Sequence, residues 1–123
     1  MPITFVLDEH FRGLLWPAIQ HHNAAGVNPV DAVRVGDPPD LPRGTLDPDL
    51  LIWAEREGRV VVTDDRRTMP THLADHLQAG RHSPGVLIVR KNYPLKQIVF
   101  HLALVAHAED PDTLRDNFDF IPY

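Results

Sequence analysis

The chain has 123 residues, of which 43% are hydrophobic and 24% charged, a balance that suits one soluble globular domain with a real core. It has no cysteine, which excludes disulfides and thiolate zinc sites, and no run of about 18 apolar residues that would suggest a membrane span. Its net charge of −5 with neutral histidines lacks the basic footprint of a typical nucleic-acid binder, although a metal-neutralised site would relax that objection.

Residues 2–7 read as a first strand, apolar and ending in Asp8-Glu9. Residues 10–25 follow as a helix, with Phe11, Leu14, Leu15, Ala18 and Ile19 on one stripe and Gly26 as its C-cap. Pro17 inside it predicts a kink or an early break. Val30 to Val35 reads as a second strand. Residues 36–46, rich in Gly and Pro, form a long surface loop of the kind that often carries function. Asp47-Pro48-Asp49 opens the next helix, with Asp47 expected as N-cap, Leu50, Leu51, Trp53 and Ala54 buried, and Gly58 at its end.

Arg59-Val60-Val61-Val62-Thr63-Asp64-Asp65 is the most informative stretch. Three β-branched apolar residues in a row suit a strand buried on both faces, and it stops at a hydroxyl and two carboxylates. A helix over 68–79 has Pro70 in its first turn, with Thr68 expected to cap it. Val86 to Val89 reads as a fourth strand and 95–108 as the last long helix. Residues 109–116 look turn-like, and 118–121 look like a short edge strand. Alternation of strands and helices predicts an α/β fold. Its architecture would be a three-layer α/β/α sandwich around a mainly parallel sheet, with right-handed crossovers.

Ligand sites in such folds lie beyond the carboxyl ends of strands. If the first and third strands are neighbours, Asp8 meets Asp64 and Asp65 there, and Asp47 and Asp49 start their helix on the same edge. Clustered carboxylates raise one another's pKa and persist when a cation offsets the repulsion. Oxygen ligands favour Mg2+ or Mn2+ over zinc, and such an ion equips a site for phosphodiester hydrolysis. The candidate metal ligands are thus Asp8, Asp47, Asp64 and Asp65. Asp64 and Asp65 are adjacent, so one of them is expected at the periphery. Each acid also has a plain structural role open to it: Asp47 as a cap, and Asp49 and Glu9 as first-turn helix acids. Arg66, Arg67 and Thr68 lie beside the acids as candidate substrate contacts. His72 and His76 are one helical turn apart with no third ligand nearby, so they read as exposed helix residues. Trp16 and Trp53 read as core.

The ordered set Leu7-Asp8-Glu9, Asp47 before an apolar helix, Glu57-Gly58-Arg59-Val60-Val61-Val62-Thr63 and then Asp, with Asp65-Arg66-Arg67-Thr68-Met69-Pro70 and Ser83-Pro84-Gly85-Val86, resembles the PIN-like family related to VapC-type toxin ribonucleases. The resemblance runs from residue 3 to about 105. It implies a single PIN-like domain over 1–123 that hydrolyses RNA with Mg2+ or Mn2+, and Asp8, Asp47 and Asp65 match the family's catalytic acids. It also implies the toxin of a toxin–antitoxin pair, with a small antitoxin protein as candidate partner; a second copy of the chain is a further candidate, and the absence of cysteine is compatible with a cytoplasmic protein. The chain departs from the pattern at Arg67, where many relatives carry an acid or Asn, and at Asp64, where His or Phe is common. These departures leave open a catalytically inactive PIN-like binding or regulatory module. A receiver domain would need a hydroxyl after the fourth strand, where this chain has Arg90-Lys91-Asn92.

Overall fold

A computed structural model describes residues 2–11 and 13–123. Five parallel strands form one sheet: β1 (Phe5–Leu7), β2 (Ala32–Arg34), β3 (Val60–Thr63), β4 (Val86–Val89) and β5 (Phe118–Ile121). Their order is β2-β1-β3-β4-β5, so β1 and β3 are neighbours. Five helices connect and flank them: α1 (Leu15–Ala24), α2 (Asp47–Glu57), α3 (Met69–Gln78), α4 (Leu95–Ala108) and the short α5 (Pro111–Leu114).

Strand alternation divides the core in two. Phe5, Leu7, Val60, Val62, Leu87 and Ile121 face α1 and α4. Val6, Val61, Val86 and Ile88 face α2 and α3. Each fully buried residue of this size contributes roughly 1.5–3 kcal/mol. The valine run of β3 feeds both layers, which is why it lacks the alternation of a half-exposed strand. The three-layer α/β/α sandwich expected from the sequence is therefore the fold observed.

Several local expectations are corrected. The first helix is a 3-10 turn at Glu9–Phe11 followed by α1, which starts only at Leu15. That late start puts Pro17 in the first turn, where its missing N–H costs nothing. Arg12, inside the predicted helix, lies outside the described residues. The turn-like stretch 109–116 contains α5, whose N-cap Asp110 accepts from Asp112 N. The crossovers also do not all share one hand. The chain moves from β1 to β2 over the α1/α4 face, then back past β1 to β3 and on to β4 over the opposite face. It continues in that second direction to β5, yet returns to the α1/α4 face through α4. The β4–α4–β5 connection thus has the opposite hand to the other three. Because α4 covers the first face, no helix among the described residues covers the second face of β5. Phe118 is left exposed there and Phe120 half-buried.

Candidate metal site at the carboxyl edge of the sheet

The connections from β1 and β3 leave toward opposite faces, which opens a crevice beyond their carboxyl ends. Asp8 sits at that point. Its N–H donates to Val62 O at 3.0 Å, continuing the β1–β3 pairing by one residue. Asp8 is buried, with 8% of its surface exposed, yet its carboxylate is well supplied with donors. The Thr63 hydroxyl donates to Oδ2 at 2.6 Å, and His10 N donates to Oδ1 at 2.7 Å. Burial pushes its pKa up, and these two hydrogen bonds and the His10 ring pull it back in part.

The 3-10 turn brings His10 back over the strand end. Its Nδ1 lies 3.3 Å from Asp64 Oδ1 and 3.8 Å from Asp8 Oδ1. The hydrogen bond with Asp64, then the charge of Asp8, holds the imidazole pKa above its ordinary value. One ligand atom from each of Asp8, His10 and Asp64 falls within 4.8 Å of the others. Two carboxylates and an imidazole at that spacing fit a small divalent ion. His10 escaped the sequence reading because no histidine spacing marks it. The available signal was its place two residues after a strand-ending acid, in a segment with Gly13 and Pro17 close behind.

Asp64 and Asp65 diverge. Asp65 turns toward α3: Oδ1 accepts from Arg67 N at 3.1 Å and Thr68 N at 3.0 Å, and Oδ2 accepts from the Thr68 hydroxyl. The Thr68 bonds hold its pKa below the usual carboxylate range. Asp65 therefore caps the α3 entry, Thr68 serves it, and Asp64 is the acid that joins Asp8 and His10. Arg66 and Arg67 are exposed.

Asp47 does not cap α2. Leu46 holds the N-cap position without a side-chain bond, and Asp47 occupies the first turn. Its carboxylate lies 3.9 Å from His72 Nε2, and burial raises its pKa, with the charge of Asp65 adding to the effect and His72 opposing it. Asp47, Asp8 and His10 line one cleft of about 280 Å3, walled by Gly44 and Thr45 of the proline-rich loop. Glu9 ties that loop down through Gly44 N at 2.7 Å. Asp49 is exposed in the same first turn. His72 and His76 do not form a pair on an exposed face. His72 faces Asp47, whereas His76 is buried 3.3 Å from Glu55 and 2.8 Å from His82 O.

A separate cavity of about 470 Å3 lies at the opposite edge, among Ile3, Glu55, Ser83 and Leu114. Its carboxylate Glu55 accepts from Arg81 and His82 N. No helix among the described residues is long and apolar enough to cross a membrane. No family model, curated protein or solved structure matches the chain.

Proposed function

We propose that the protein is a metal-dependent ribonuclease of the PIN-like type whose ion is held by Asp8, Asp64 and His10. The observation that carries this reading is Asp8: a buried carboxylate, supplied with two hydrogen bonds, with another acid and an imidazole within ligand distance. A purely structural acid at a strand end has no need of a second acid beside it. A divalent ion at this place supplies an activated water and neutralises charge on a phosphodiester. Asp47, raised in pKa and backed by His72, faces the same cleft and serves as the group that takes or returns a proton. Thr63 and Asp65 position the others without touching substrate. The imidazole nitrogen in the ligand set favours Mn2+ over Mg2+, which prefers an all-oxygen shell.

The test is cleavage of labelled single-stranded RNA with Mn2+ or Mg2+. Asp8→Asn and Asp64→Asn each lower the rate at least about 100-fold, and both weaken Mn2+ binding by calorimetry. Cleavage that survives in both variants, or is absent from the wild type at saturating metal, sinks the proposal. The same strand order serves receiver domains, but β4 ends in Val89-Arg90 without the hydroxyl a phosphoryl acceptor site requires. A specific observation also keeps the inactive binding module in view as the second reading. Asp65, the acid the PIN-like resemblance makes catalytic, is spent on capping α3.

A further inference from the structure

Next to the acid cluster runs a second groove, of about 410 Å3, whose wall includes Asp64 itself. Arg66, Arg90 and Lys91 bring three cations to it, in a chain whose net charge is −5. Tyr93 and Phe120 bring two aromatic rings. The unusual hand of α4 leaves the second face of β5, where Phe120 lines this groove, without a helix among the described residues. Phe118 and Phe120 stand on that open face with ring centroids 6.1 Å apart, and the Arg90 guanidinium lies 5.0 Å over the Phe120 ring. Arg90 is fixed by its Nε, which donates to Pro122 O at 2.9 Å. Arg66 and Lys91 have no ion-pair partner among the described residues.

We infer that this groove is the path of a single-stranded nucleic acid, leading its backbone to the Asp8–His10–Asp64 cluster. The pattern is the one such strands require. Cations track the phosphates, and exposed aromatic faces stack bases without reading their sequence. A helical duplex presents no free base faces to the exposed ring of Tyr93, so the groove selects single strands. The inference deepens the ribonuclease reading and rests on it for the choice of RNA. The phosphate and base chemistry by itself serves RNA and DNA alike.

The experiment is fluorescence anisotropy in EDTA, where no cleavage occurs, with labelled single-stranded RNA, single-stranded DNA of the same sequence and a duplex RNA as probes. Lys91→Glu and Tyr93→Ala are the variants, both at exposed positions, with thermal melts to confirm folding. Tyr93→Ala is expected to weaken single-strand binding between about 5- and 150-fold, the range for one stacked base. Lys91→Glu is expected to weaken it about tenfold and to reduce the salt slope by about 0.7, the value of one phosphate contact. A preference for RNA over DNA supports the ribonuclease link, and equal binding supports the groove as a general single-strand path. Wild-type affinity in both variants overturns the inference, as does duplex binding as tight as single-strand binding. Variants that instead change self-association in sedimentation, with oligonucleotide affinity intact, mark the groove as a protein interface and also overturn it. Mn2+ binding and cleavage are measured in parallel. Cleavage by the wild type with no effect of the variants sinks the groove alone, whereas variant-sensitive binding in a protein that never cleaves sinks the nuclease alone.

Discussion

Thr63→Val isolates the hydroxyl that joins the fold to the site. Thr63 is fully buried, and valine matches its shape. The substitution removes the 2.6 Å bond to Asp8 Oδ2 and the acceptor for Asp65 N at 3.1 Å. Losing a bond to a charged acceptor costs about 1.5–3 kcal/mol, and a half-buried orphaned N–H adds about 1 kcal/mol. The extra buried methyl returns up to about 1 kcal/mol. The expected net loss is about 1.5–4 kcal/mol. At roughly 2.1 cal/mol/K of unfolding entropy per residue, that lowers Tm by about 6–15 °C. Thr63→Ser keeps the hydroxyl and loses one methyl, so it costs only about 1 kcal/mol. Urea denaturation of the metal-free protein measures both. The hydroxyl donates to the ionised carboxylate, so the valine deficit is full where Asp8 is charged and narrows as pH falls through its raised pKa. A valine variant as stable as the serine variant, or a deficit that does not change with pH, refutes the account of how Asp8 is held.

Asp8→Asn is expected to raise the Tm of the metal-free protein at neutral pH while removing Mn2+ binding, a trade of stability against function. The sign follows from its raised pKa: the fold disfavours the ionised form, so stability is lost as pH rises through the folded value, and asparagine recovers it at neutral pH. A lower Tm for the variant contradicts this. Glu55 and Asp116 have depressed pKa values, Glu55 chiefly from His82 N and Asp116 chiefly from the His82 side chain and Ser83 N. Their contribution is present above the unfolded carboxylate range and lost as pH falls through the folded values. Thermal melts from about pH 7 down to about pH 3 therefore decline less steeply in Glu55→Gln and Asp116→Asn, each starting from a lower Tm. Gly85→Ala places a Cβ 2.7 Å from Leu114 O at φ +132°. It is expected to cost at least about 2 kcal/mol and to raise amide exchange across β5 first.

Much of the architecture was legible because burial on both faces leaves a plain mark. The valine run of β3 and the apolar spacing of 95–108 needed no tertiary information. Convergence of the acids followed once β1 and β3 were placed side by side. The hand of α4 was not legible. Its apolar stripe shows that it is buried but not on which face, and it is the exception to a strong rule. Nor could periodicity assign Asp47, because a favoured cap residue looks the same whether or not it caps. Here Leu46 takes the cap position, and the Asp47 carboxylate remains available to the cleft.

The pair Asp64-Asp65 shows what position after a strand leaves undecided. Both acids follow the same strand, and the backbone turns at once behind it, with Arg66 N donating to Asp64 O at 3.1 Å. One of them must meet the α3 entry, where three donors from Arg67 and Thr68 await a carboxylate. Asp65 takes that place because α3 begins only four residues later, within reach of its side chain. Asp64 is thereby turned toward His10 and Asp8. Thr63 couples the two outcomes, since its hydroxyl donates to Asp8 and accepts from Asp65 N. The capping acid and the site acid are thus parts of one network. Asp64 and the His10 ring, and not a residue near position 67, are the groups that stand beside Asp8.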